Sequence, residues 1–248
     1  MDPKYGQAYR ELFENHWWWR SRTEMILDKL RQLRPAAGWA RILDIGCGDA
    51  LFFDRLAEFG QVEGVEPCAE LVSPNNPHRD RIHTCPFNAD FDPGKQYSLI
   101  LMLDVLEHLD DPVGALRHAL DLLVPEGLLI VTVPAFMALW TNHDELNHHL
   151  IRYTKRSFRN VARQAGFDVW EERYLYHWTF PVKLAVRVVE KLAHAKPQAP
   201  KAPPGWANEA LFPVSRLEQK TLSALPMPFG SSLMIVGSKT QRSRTSLP

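Results

Sequence analysis

The chain has 248 residues, with 29 basic and 29 acidic side chains and 45% hydrophobic residues. This is enough for one large domain or two small ones with a self-sufficient core, and the zero net charge speaks against a dedicated nucleic-acid binder. Three cysteines (Cys47, Cys68, Cys85) without metal-type spacing, a charged opening segment and no long apolar run predict a cytoplasmic protein with reduced thiols and no membrane span.

Apolar clusters alternate with helical patterns over the first two thirds. Arg41–Ile45 reads as a buried strand meeting the tight turn Gly46-Cys47-Gly48, and Leu51–Phe59 has helical spacing. Gln61–Glu66 is a second strand, stopped by Pro67, and Tyr97–Asp104 a third. Pro112 stands near a helix start, Val113–Leu123 carries helical spacing, and Leu128–Val133 is a fourth strand ended by Pro134. Strands apolar on both faces and separated by helices indicate a parallel sheet covered on both sides.

The last third reads differently. Lys155–Ala165 is helical with Gly166 as its cap, Phe167–Tyr176 is a strand, and Phe180–His194 is helical. Ala195–Pro213 is rich in Pro, Ala and Lys and is expected to be the loosest stretch. Ser231–Val236 is a final strand, followed by a frayed tail.

The turn Asp44-Ile45-Gly46-Cys47-Gly48-Asp49-Ala50 carries the most information. Closely spaced glycines between a strand and a helix let a ligand approach the backbone, because no Cβ stands in the way. A dinucleotide fingerprint needs a further glycine where Leu51 stands, and Asp44 would repel a pyrophosphate. Glu66 ends the next strand, where a carboxylate can accept hydrogen bonds from both ribose hydroxyls.

With Asp44, Gly46 and Gly48 in this order, the sequence resembles the class I S-adenosylmethionine-dependent methyltransferases. Ala50 replaces the third glycine of that family's turn. The segment Asp104-Val-Leu-Glu107-His108 and the strand lead-in Leu123-Val-Pro125-Glu126-Gly127 are similar to the ubiquinone-biosynthesis-like branch, with Glu126 in place of a glycine. The resemblance implies S-adenosyl-L-methionine as cofactor, held by Asp44, Gly46, Gly48 and Glu66. Leu103 and Asp104 would lie along the cofactor edge, and Phe87 near the adenine. Asp104, Glu107 and His108 could converge on a divalent cation, but hydrogen bonding within the cofactor wall is the favoured reading, and no metal site is expected.

Methyl transfer is an in-line displacement governed by positioning, and it needs a base only for a hydroxyl or protonated amine acceptor. The stretch Trp140–Tyr153, similar to a bacterial subgroup of undefined substrate, supplies His143 or His148 as that base, oriented by Asp144. Capping and loop hydrogen bonds are the structural alternative for all three, and a zinc site from His143, Asp144, His148 and His149 matches no strong pattern. Neighbours in Trp17-Trp18-Trp19 diverge by about 100° on a helix, so one or two can face a ligand. The resemblance to the same subgroup, which has an aromatic-Arg segment here over the cofactor pocket, implies Trp19 and Arg20 as the candidates, on a helical lid over residues 1–40. Lys183, Arg187 and Lys191 form a basic stripe suggesting weak lipid contact through 180–194, or else a solvated face.

The expected fold is a doubly wound, Rossmann-like α/β sheet of about seven strands with an antiparallel last strand. Residues 41–176 and 229–240 would form the cofactor-binding core, 177–228 a helical cap or insertion, and 241–248 a flexible tail. The expected reaction is methyl transfer to an oxygen, nitrogen or carbon of a small molecule. A nicotinamide-dependent oxidoreductase and a non-catalytic cofactor-binding module are the rivals, and neither nucleic acid nor a defined oligomer is implied.

Overall fold

A computed structural model describes residues 10–193, 203–222 and 225–239. The strands are β1 (Trp39–Ile45), β2 (Gly60–Val65), β3 (Ile82–His83), β4 (Tyr97–Leu103), β5 (Leu123–Pro134), β6 (Phe167–Leu175) and β7 (Ser232–Lys239). They form one sheet in the order β3-β2-β1-β4-β5-β7-β6. All pairings from β3 to β5 are parallel, and β7 runs antiparallel to both β5 and β6. This is the expected doubly wound architecture. The strand order reverses between β1 and β4, and ligands of open α/β sheets bind at such a crevice beyond the carboxyl ends of the strands.

The central strands are apolar on both faces because helices cover both. On one face Leu43, Ile45, Ile100, Met102 and Val131 pack against α3 (Pro112–Asp121) and α5 (Lys155–Ala165). On the other, Ile42, Leu99, Leu101 and Ile130 join Ile26, Leu27 and Leu30 of α1 (Trp17–Leu33) and Phe53 and Leu56 of α2 (Phe53–Leu56). The first described long helix is therefore a core layer as well as a candidate lid.

Local chemistry sets the helix boundaries. Asp111 caps α3 by accepting from the Gly114 amide, with Pro112 in the first turn, where its missing N–H costs nothing. Thr154 and Ser157 form the reciprocal cap of α5, which ends at Gly166 in the left-handed conformation (φ 79°).

Three expectations change. The helix expected over Leu51–Phe59 is regular only at Phe53–Leu56, because residues 49–52 continue the turn rather than the helix. The two-residue β3, too short to show an apolar pattern, was not expected at all. Part of the stretch expected to be loose is ordered: α7 (Gly205–Thr221) runs through Pro213 and packs on α1, and the rest of that stretch up to residue 202 and the tail from 240 lie outside the described residues. Asn208 ties the two helices together, accepting from the Trp17 amide (2.8 Å) and donating to the Asn15 carbonyl (2.6 Å).

The basic stripe on α6 (Thr179–Ala193) is also split. Lys183 turns into the cavity described below, Arg187 donates to the Met137 carbonyl, and the outer face instead exposes Val182, Val186, Val189 and Leu192. No helix among the described residues is long and apolar enough to cross a membrane.

Candidate active site

A cavity of about 410 Å³ opens at the carboxyl ends of β1 and β4. Its first wall is the turn after β1. Gly46 (φ 74°), Gly48 (φ 55°) and Ala50 (φ 52°) all adopt the left-handed conformation. A Cβ on Gly46 would come within 2.7 Å of Val105, whereas one on Gly48 would meet nothing within 4 Å. Gly46 is thus required by packing. Gly48 keeps its backbone bare toward the cavity.

Glu66, just beyond β2, is buried and holds this turn. Its Oε2 accepts from the Gly48 amide and its Oε1 from the Cys68 amide, both at 2.9 Å. Burial raises its pKa, with the two amides opposing the shift. Asp44 lies beneath the turn, 5% exposed. Burial pushes its pKa up to about 7, with Arg22 drawing it down and Glu66 adding to the rise.

The second wall follows β4. Leu103, Asp104, Glu107 and His108 line the cavity, and Asp104 (φ 59°) is paired with Arg22 of α1 at 2.6 Å. The Arg22 guanidinium also lies against the rings of Trp18 and Trp19, 5.6 and 5.5 Å from their centroids. Both indoles line the cavity. Glu107 is fully buried, and neither carboxylate oxygen has a hydrogen-bond partner among the described residues. Burial, reinforced by Asp104, raises its pKa well above the usual carboxylate value.

The third wall is built around Asp144, at 0% exposure in the first turn of α4 (Asn142–Leu146). Its carboxylate accepts from the Thr141 amide (2.8 Å) and from Arg152 Nε (2.8 Å) and Nη2 (2.9 Å). Its Oδ1 also lies 2.8 Å from Nδ1 of His149. Burial alone would raise the Asp144 pKa, but these partners hold it well below the usual range. The backbone amide of Leu150 donates to the Glu107 carbonyl (2.7 Å), which brings the His149 ring to 4.8 Å from that of His108. Glu107, His108 and His149 bring one ligand atom each within 4.8 Å of one another, a set that could hold a metal ion. His143 and Asn147 also line the cavity. Burial lowers the His143 pKa to about 4, and Lys183 and other cations add to the shift, so the ring is neutral near pH 7.

Several sequence-predicted residues meet here: Gly46, Gly48, Glu66, Leu103, Asp104, Trp19 and His143 line the cavity, with Asp44 and Asp144 directly behind. Three do not. His148 (φ 56°) is exposed and outside the cavity, because the chain turns sharply there and presents His149 instead. Arg20 points to α7, where it pairs with Glu209 (2.6 Å) and lies on Phe212, one helical face away from Arg22. Phe87 packs against Phe91 and His118, away from the cavity lining.

Arg22 was missed although a residue pattern marks it, and the placement of the expected Asp144 follows from another. Arg22 stands three and four positions after Trp19 and Trp18, the spacing that shares a helix face. Thr141 and Asp144 have capping-box spacing, which points the carboxylate inward along the backbone. Lys183 and His149 stand out in the sequence only as members of the basic stripe and of the zinc-type grouping, and nothing local turns either toward the cavity.

The chain belongs to a family of methyltransferase domains: the family model described as a methyltransferase domain matches residues 8–172. A ubiquinone biosynthesis O-methyltransferase of Bradyrhizobium diazoefficiens is 33% identical over 101 residues, which are 38% of this chain and 40% of that protein. The matched part therefore spans about two fifths of that relative's length. Among solved structures, a complex of the Haloferax volcanii Trm112 methyltransferase activator with a methyltransferase matches with a TM-score of 0.57 at 16% identity, over 95% of this chain and 94% of that one. The N-methyltransferase NodS of Bradyrhizobium japonicum, solved with S-adenosylhomocysteine, gives 0.53 at 14% identity, over 92% and 90%. Both share the fold.

Proposed function

We propose that this protein transfers the methyl group of S-adenosyl-L-methionine to a nucleophilic atom of a small molecule. One observation carries the reading: a single cavity joins the bare Gly48 backbone and the Glu66 carboxylate at one end to the Asp144–His149 pair at the other. The residues fit the cofactor. Gly48 leaves its approach side open, and Glu66 retains acceptor capacity for ribose hydroxyls beyond its two amide bonds. Asp104, with its charge balanced by Arg22, is placed to meet the amino-acid end. When bound, the cofactor supplies a sulfonium methyl group open to displacement.

The protein's part in the reaction is to position the acceptor, keep water out and take a proton. Asp144, fixed by Arg152, holds His149 in the tautomer with the proton on Nδ1, which leaves Nε2 as the base for a hydroxyl or ammonium acceptor. His143 replaces none of this, since Asn147 donates to its ring (3.1 Å to Nε2), whereas the Asp144 carboxylate orients His149. Trp18 and Trp19 close the cavity from α1.

A nicotinamide-dependent reaction is disfavoured by Asp44 beneath the turn and by Leu51 lining the cavity where that fingerprint has glycine. Calorimetric titration with S-adenosylhomocysteine and with NAD tests this directly; NAD binding without S-adenosylhomocysteine binding overturns the proposal. A metabolite screen with methyl-labelled cofactor then identifies the acceptor, and binding without any acceptor-dependent turnover would leave a cofactor-binding module.

A further inference from the structure

We propose that the methyl acceptor carries an anionic group, a carboxylate or a phosphate, and that Lys183 binds it. This rests on the methyl-transfer reading and names the substrate class for the same cavity.

Lys183 sits in the first half of α6 and lines the cavity, while its neighbours Val182, Leu184 and Val186 are exposed on the outer side. Among the described residues it forms no ion pair, unlike the buried Arg22 and Arg152 near it. The acids within electrostatic reach are engaged elsewhere. Asp144 is held by Arg152 and His149, and Asp104 by Arg22. Glu190, on the same helix, accepts from the Asn142 amide at 3.0 Å. Arg152 brings a second cation to this end of the cavity, although its guanidinium is spent on Asp144 and the Ala135 carbonyl.

A cation facing a confined space without a counterion is costly, and an anion supplied by a ligand removes that cost while gaining a charge-assisted hydrogen bond. Burial and Arg152 lower the Lys183 pKa to about 8, so the ammonium form still predominates at neutral pH. Elsewhere the cavity is lined by Glu66 and Glu70, which disfavour an anion there, while Asp49 is paired with Arg10. The charges thus sort the two ligands. The acceptor's anion is drawn to Lys183, and its nucleophile is left beside His149.

The test measures acetylation of Lys183 by acetic anhydride, read by peptide mass spectrometry on the full chain saturated with S-adenosylhomocysteine. Sodium benzoate, sodium phosphate and neutral benzamide are the competing probes. Protection by benzoate, phosphate or both, and not by benzamide, is the expected result, and the effective anion distinguishes carboxylate from phosphate. Lys183→Met should weaken binding of the effective anion by about tenfold, with Lys183→Arg retaining most of it and S-adenosylhomocysteine affinity unchanged in both. Protection by neither anion, or equal protection by benzamide, overturns the proposal. Failure of S-adenosylhomocysteine to bind would instead strike the methyl-transfer reading, because acetylation of Lys183 is read without turnover.

Discussion

Oδ1 of Asp144 lies 2.8 Å from Nδ1 of His149, and Arg152 grips the same carboxylate through two nitrogens. The arrangement separates a structural duty from a chemical one: Asp144 is fully buried, while His149 lines the cavity. His149→Ala should therefore lower kcat by about 10²–10⁴, the usual worth of a positioned base, with little change in S-adenosylhomocysteine affinity. His148→Ala, on the exposed neighbour, should leave turnover intact. Steady-state transfer of labelled methyl to the identified acceptor checks both, and full activity in His149→Ala would dismiss the base assignment. The kcat loss should shrink for an acceptor that carries no proton to remove.

Glu66 links the cofactor end to the fold through the Gly48 and Cys68 amides. Glu66→Ala removes the carboxylate proposed to meet the ribose hydroxyls. With about 1.5–3 kcal/mol for hydrogen bonds to a charged group, S-adenosylhomocysteine affinity should fall by about 10–100-fold. Calorimetric titration measures this, and wild-type affinity would exclude Glu66 from the cofactor site. Melting temperature should be followed in parallel, since the turn also loses two bonds.

The cofactor end was readable because it is local in sequence. Asp44, Gly46 and Gly48 lie within five residues, and the following strand places Glu66 beside them through its parallel pairing with β1. Strong two-sided apolar strands made the sheet legible for the same reason. The acceptor end depends on distant contacts. His149 reaches the cavity only because residue 150 bonds to residue 107, and Lys183 only because α6 crosses near Met137–Leu139. Arg20 and His148 stand two residues and one from the side chains that reach the cavity wall, Arg22 and His149, which is enough on a helix or in a sharp turn to face another side.

Arg22 and Arg20 offer a paired test of that register. Arg22 is nearly buried and its pairing with Asp104 is shielded (side-chain exposures 9% and 23%), whereas the Arg20–Glu209 pair is open to solvent (30% and 66%). Removing one partner of a buried pair strands the other charge, so Arg22→Met should cost about 3 kcal/mol of stability, and it should also weaken cofactor binding. Arg20→Met should cost no more than about 1 kcal/mol. Urea denaturation distinguishes them, and equal losses would show that the Asp104 pairing contributes nothing special.

Asp44 gives the protein a pH dependence of defined sign. Its folded-state pKa is raised by burial to about 7, against about 3.9 for an unperturbed aspartate. Between those values the native state holds a proton that the unfolded chain has released, so this residue's contribution to stability falls as pH rises. The full penalty, a few kcal/mol at about 1.36 kcal/mol per pKa unit, is reached above about pH 7. Asp44→Asn fixes the neutral form. Its stability gain over the wild type should therefore grow from near zero at pH 4 to its maximum by pH 8, as read by urea denaturation across that range without cofactor. A gain independent of pH would mean that Asp44 already titrates like an exposed carboxylate, and that its burial beneath the glycine turn is not what sets its charge.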